Sequence, residues 1–99
     1  MQYKHRYIDG TEAELPVGKV VCVGRNYADH AAELNNPIPT TPLLFMKPST
    51  AIVPMEESFE VPLDYGSVHF ETEMAILIGQ PLKNANKFEI EDAIVGVGL

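Results

Sequence analysis

The stretch "VHFETEMAILIG" (68–79) decides the fold. Val68, Phe70, Met74, Ile76 and Ile78 fall on one side of an extended chain, and His69, Glu71, Glu73, Ala75 and Leu77 on the other. Period two marks a strand, because successive side chains point to opposite faces. Thr72 is the polar intruder on the apolar side. The alternation predicts a strand over 68–79 that carries Glu71 and Glu73 on one face, their Cα atoms about 6.5 Å apart at a rise of about 3.3 Å per residue. Two carboxylates that close to a core repel each other and lose hydration unless positive charge sits between them.

Downstream, "KFEIEDAI" (87–94) has the composition of a short helix, and "VGVGL" (95–99) begins another strand. Upstream, "KVVCVG" (19–24) reads as an apolar strand ending at Gly24, and "LLFMK" (43–47) as a second one stopped by Pro48. Between them "RNYADHAAEL" (25–34) is helix-forming, with Asn26 as N-cap and Asp29 three positions on. "NNPIPTTP" (35–42) ends it, since asparagine and proline disfavour both regular structures. "STAIVPMEESFEVPLDYGS" (49–67) reads as short extended pieces broken by prolines. At the N-terminus, Asp9-Gly10 suits a two-residue hairpin turn in which both residues tolerate positive φ. The expected division is an N-terminal hairpin segment over 1–16 and one domain from 17 onward. Many short strands and two short helices predict a β-dominated α+β fold. The chain stops within an apolar run, so 17–99 reads as the N-terminal part of something longer.

Composition narrows the function classes. Ninety-nine residues with 45% hydrophobic content make one domain at most. Seven Lys and Arg against fourteen Asp and Glu give a net charge of −7, which excludes a broad electrostatic grip on nucleic acid or on an anionic membrane. No charged-then-apolar leader opens the chain, and no apolar run approaches the roughly 20 residues of a membrane span. A soluble, untargeted chain is expected, in the cytoplasm. The single cysteine, Cys22, excludes an internal disulfide and sits where a small buried thiol is expected.

Three sets of residues could carry chemistry. Glu71 and Glu73 can converge on one ion, and oxygen-only ligands favour a hard cation over zinc. Spacing alone leaves a second reading open, a solvated strand face whose charges pair across the sheet. His30 and Glu33, three apart on a helix, share a face. A carboxylate on one imidazole nitrogen leaves the other free to take a proton, so the pair is either a base with its orienter or a surface contact. Lys47 lies on the side of Leu43 and Phe45, where its stem can be buried and its ammonium can meet an anion or snorkel. Arg25 has the same two readings. His5 and His69 are read as structural or exposed. Gly24 lacks the context of a phosphate loop.

In this order, "GRNYADHAAE" (24–33), "PLLFMKPST" (42–50) and "HFETEMAILIG" (69–79) resemble the fumarylacetoacetate hydrolase family, and most of all its small bacterial members related to acylpyruvate hydrolases and to oxaloacetate decarboxylases or tautomerases. The resemblance covers most of 17–99. It implies a β-rich roll, normally a homodimer, with a divalent metal, Mg²⁺ or Mn²⁺, in a central cleft. It assigns Glu71 and Glu73 as metal ligands, His30 and Glu33 as the catalytic base dyad, Lys47 as catalytic or substrate support and Arg25 as substrate-binding. The family's third ligand, an Asp in a D-x-[ST]-x-R-D block, is expected beyond Leu99, so this chain alone is expected to be inactive.

The implied substrates are small 2-oxo acids. The implied reaction is hydrolysis of the C–C bond of 3-acylpyruvates to pyruvate and a carboxylic acid, through a metal-stabilised enolate. Decarboxylation or keto–enol tautomerisation of oxaloacetate are the alternatives, since all three share the enolate. A non-catalytic truncated module for dimerisation or binding is the competing class.

Overall fold

The computed structural model describes residues 2–24 and 41–99. They hold four strands, one α-helix and a 3₁₀ turn: β1 (Val20–Gly24), β2 (Leu43–Lys47), the turn Ser49–Ala51, β3 (Ala75–Ile78), α1 (Lys87–Ala93) and β4 (Ile94–Gly98). The helix expected over 25–34, together with its N-cap Asn26, lies outside the described residues. The chain divides into two compact units, one comprising Met1–Lys4 and Pro16–Glu57, the other His5–Leu15 and Ser58–Leu99.

In the first unit β1 and β2 pair antiparallel, with Val20 opposite Lys47, Cys22 opposite Phe45 and Gly24 opposite Leu43. Both runs are apolar and β-branched or aromatic, which suits a pleated surface. The ladder stops at Lys47 because Pro48 has no N–H to donate, and Pro48 instead caps the 3₁₀ turn. Cys22 is a free thiol and only half-buried, not the fully buried one expected.

In the second unit β3 and β4 pair antiparallel, with Ala75 opposite Gly98, Ile76 opposite Val97 and Leu77 opposite Gly96. The register then shifts: Ile78 faces Ile94, and Val95 is the extra residue of a β-bulge. Beyond the bulge the Gly79 amide donates to the Ala93 carbonyl at 2.8 Å. A Cβ on Gly79 would stand 2.6 Å from Val95 Cγ1 and 3.2 Å from Cγ2, so the bulged valine occupies the space that a side chain there would need. Helix α1 leads into β4. Its N-cap is Asn86, whose Oδ1 accepts from the Glu89 amide at 2.9 Å, while the Glu89 carboxylate accepts from the Asn86 amide over a long 3.5 Å. Ala93, at the end of α1, is the one buried hydrophobic residue among those described.

Two expectations are corrected. The strand expected over 68–79 is a ladder only over Ala75–Ile78. Ala75 pairs with Gly98, and Glu71 and Glu73 precede the first paired position. The N-terminal turn also differs from the expected two-residue form. Tyr7 O accepts from Gly10 N at 2.9 Å, so Ile8 and Asp9 are the central residues, and only Gly10 adopts positive φ, at 90°. A bond from Tyr7 N to Thr11 O at 2.8 Å and the Arg6–Glu12 bridge complete a three-residue hairpin with a glycine bulge. Asp9 supports the turn with its side chain: Oδ1 accepts from Thr11 Oγ1 at 2.7 Å and from Thr11 N at 2.9 Å.

The Thr11 hydroxyl first, and its amide second, hold the exposed Asp9 carboxyl below its ordinary value of 3.8. A lowered folded-state value means that this contribution to the turn is present above the ordinary carboxylate range and is lost as pH falls through the lowered value. The Asp9 carboxyl carbon, followed by NMR, is expected to titrate with a midpoint below 3.8, and Thr11→Val to move that midpoint upward. Gly79→Ala is expected to cost about 1–3 kcal/mol in denaturant unfolding through overpacking against Val95. Adding Val95→Ala should recover part of that loss in a double-mutant cycle.

Candidate functional site

Glu71 and Glu73 enter the second unit just ahead of β3, in chain that is not hydrogen-bonded into the ladder. The expected alternation shows in part in their burial. Glu73, Leu77 and Gly79 are half-buried, whereas Thr72, Met74, Ile76 and Ile78 are exposed, and so is Ala75. Glu73 therefore belongs to the side of β3 that faces inward, and Glu71 is the more exposed member of the pair.

The side of the ladder that carries Leu77 has an uneven lining. Residues directly opposite each other in an antiparallel pair project to the same side. Leu77 and Ala75 face Gly96 and Gly98, so β4 contributes no side chain there. Neither glycine has positive φ, so neither is required by backbone conformation. Over Gly96 the space is filled from elsewhere in the unit: the Tyr7 ring stands 3.6 Å, at Cε1, from where a Cβ would be, with Leu77 Cβ at 3.8 Å. Over Gly98 nothing lies within 4 Å. The sequence reading made no use of Tyr7, nor of the Val-Gly-Val-Gly alternation of 95–98, which is the signal for a strand with one bare side.

Lys47 belongs to the first unit, at the end of β2 opposite Val20. It shares a side with Leu43 and Phe45, as the alternation predicts, and it is exposed. Arg25, His30 and Glu33 lie outside the described residues. Of the other histidines, His69 is exposed and His5 is half-buried in the hairpin, its carbonyl accepting from Ala13 N at 3.0 Å. Among the described residues no three His, Cys, Asp or Glu side chains converge as a metal cage. No helix among them is long and apolar enough to cross a membrane.

Residues 19–99 match the family model described as fumarylacetoacetate (FAA) hydrolase C-terminal. The chain is 43% identical over 97 residues to the oxaloacetate tautomerase YcgM of Escherichia coli K12, covering 98% of this chain and 44% of that protein. It is 41% identical over 78 residues to the mitochondrial oxaloacetate tautomerase FAHD1 of Arabidopsis thaliana, covering 79% of this chain and 35% of that one. A crystal structure of a fumarylacetoacetate hydrolase family protein from Yersinia pestis CO92 superimposes with a TM-score of 0.90 at 46% identity, over 97% of this chain and 44% of the other. The chain thus spans less than half the length of these relatives, and its strand-rich fold is theirs over that span.

Proposed function

Since this chain belongs to the fumarylacetoacetate hydrolase family, we propose that the whole protein interconverts the keto and enol forms of oxaloacetate, with Glu71 and Glu73 holding a divalent cation. The observation that carries this reading is similarity along almost the full chain to a bacterial protein named as an oxaloacetate tautomerase. The donor set suits the group: two carboxylates two residues apart, one of them half-buried, offer oxygen ligands to a hard cation such as Mg²⁺ or Mn²⁺. They fill only part of a six-coordinate shell, and the rest falls to water, to substrate or to residues outside those described.

When bound, the cation supplies positive charge against the carboxylate and 2-oxo oxygen of the substrate. The remaining work falls to side chains of the chain. His30, oriented by Glu33, takes a proton from C3 of the keto form, and protonation of the 2-oxo oxygen completes the enol. One C–H bond breaks, one O–H bond forms, and neither water nor a redox partner is consumed. Lys47 and Arg25 supply cations for the substrate's two carboxylates, which a chain of net charge −7 would otherwise repel. A cytoplasmic homodimer is the compartment and assembly that go with this reading.

Hydrolysis of 3-acylpyruvates is the second reading, favoured by the family model's description as a hydrolase. It starts from the same chelated 2-oxo acid but requires water at the distal carbonyl. In the whole protein, loss of enol absorbance from oxaloacetate should be accelerated with Mg²⁺ and stopped by EDTA. Glu71→Gln and Glu73→Gln should each lower kcat/KM by about a hundredfold or more, beyond the 10–100-fold typical of residues one layer further from a metal. Release of pyruvate from an acylpyruvate, with no effect on the enol, would turn the assignment to the hydrolase. CO₂ release from oxaloacetate would turn it to the decarboxylase. His30→Ala is expected to cost about 10²- to 10⁴-fold in kcat while Mn²⁺ still binds.

A further inference from the structure

The N-terminal hairpin joins the glutamate-bearing unit without belonging to the family match, which begins at residue 19. We propose that Tyr7 is a positioning residue for the Glu71 and Glu73 cation site, its ring replacing the side chains that β4 lacks on the inward side of the β3–β4 ladder. This inference rests on the reading of Glu71 and Glu73 as cation ligands.

The ladder has four paired positions and two strands, and a lone pair of strands is marginal in water unless one face is packed. On the side that Leu77 shares with Glu73, β4 offers only Gly96 and Gly98. Leu77 thus has no cross-strand side chain to lean on, and the strand leading back to the glutamates is free to tilt. Tyr7 occupies the space that a β4 side chain would fill. Its Cε1 stands 3.6 Å from where a Cβ on Gly96 would be, with Leu77 Cβ 3.8 Å from the same point, and any residue larger than alanine at 96 would compete with the ring for that space.

The Tyr7 backbone is itself held by the hairpin. Tyr7 gives its amide to Thr11 O at 2.8 Å and accepts from Gly10 N at 2.9 Å. Next to it, Arg6 pairs with Glu12 at 3.4 Å across the hairpin, and Asp9 holds Thr11. These contacts make the hairpin a rigid carrier for one aromatic side chain. Glu73 lies four residues before Leu77 on the same side, so the direction of β3 at Leu77 sets where its carboxylate arrives. The phenolic hydroxyl has no part in this argument, which predicts that phenylalanine substitutes for tyrosine.

The test is a Mn²⁺ titration of the whole protein, reading the free-ion signal by electron paramagnetic resonance, for wild type, Tyr7→Phe, Tyr7→Ala and Glu73→Gln. Tyr7→Ala is expected to weaken Mn²⁺ binding about tenfold, the lower end of what loss of an outer support costs a metal site. Tyr7→Phe is expected to bind as wild type does. If Tyr7→Ala does not fold, Tyr7→Leu, apolar but shorter in reach, takes its place with the same expected direction. Unchanged Mn²⁺ affinity in a folded Tyr7→Ala or Tyr7→Leu protein, even with a lowered melting temperature, overturns the inference and leaves the cation reading intact. Equal weakening in Tyr7→Phe overturns it too, by assigning the effect to the hydroxyl. A wild type that binds no Mn²⁺, or binds it equally after Glu73→Gln, overturns the cation reading itself and this inference with it.

Discussion

The pairing of β3 with β4 is the constraint on which the rest of the candidate site depends. Its register sets Leu77 against Gly96 and Ala75 against Gly98, which decides which side of the ladder is bare and which carries bulk. A slip of one residue would exchange the two sides, putting Val95 and Val97 where the glycines are and turning the glutamate side away. The bulge at Val95 guards against that slip. It locks the extra residue beside Gly79, at the one place where a missing Cβ makes room for it.

The elements that were legible in the sequence are those whose information is local. β1 and β2 are continuous apolar runs closed by Gly24 and Pro48, and α1 has its N-cap in Asn86 and the reciprocal Glu89 three residues on. β4 was legible as the apolar run "VGVGL", although its bare glycine side was not. What was not legible depended on pairing. The period of two continues back to Val68, whereas the ladder formed with β4 covers only Ala75–Ile78. The hairpin turn shows the same limit at smaller scale. Asp-Gly signals a turn, but the turn type came from contacts that Thr11 makes with Asp9 and Tyr7, and neither Thr11 nor Tyr7 belongs to the dipeptide.

For the candidate site, spacing placed Glu71 and Glu73 on one side and left two readings open, and the resemblance to the family proposed them as ligands. Sequence could not rank them, and burial does: Glu73 faces inward and Glu71 remains exposed. A carboxylate withdrawn from water has more to gain from a bound cation than one that keeps its hydration, because the attraction is less screened. The two carboxylates are therefore unequal by position, although they are identical in chemistry. Lys47, for which an anion contact and snorkelling were both open, is an exposed residue of the first unit.

The opposite side of the β3–β4 ladder has a consequence for handling the molecule. Ile76 and Val97, paired across the strands, are 53% and 65% exposed, and among the described residues each strand keeps one unpaired edge. An open edge beside a wet aliphatic surface is a template on which another copy can lay down a strand. Helix α1, which leads into β4, carries Lys87, Glu89, Glu91 and Asp92, and charge of this kind opposes such growth. Colloidal behaviour of these 99 residues in solution should thus be governed by ionic strength: salt that screens α1 removes the repulsion while leaving the aliphatic surface as adhesive as before.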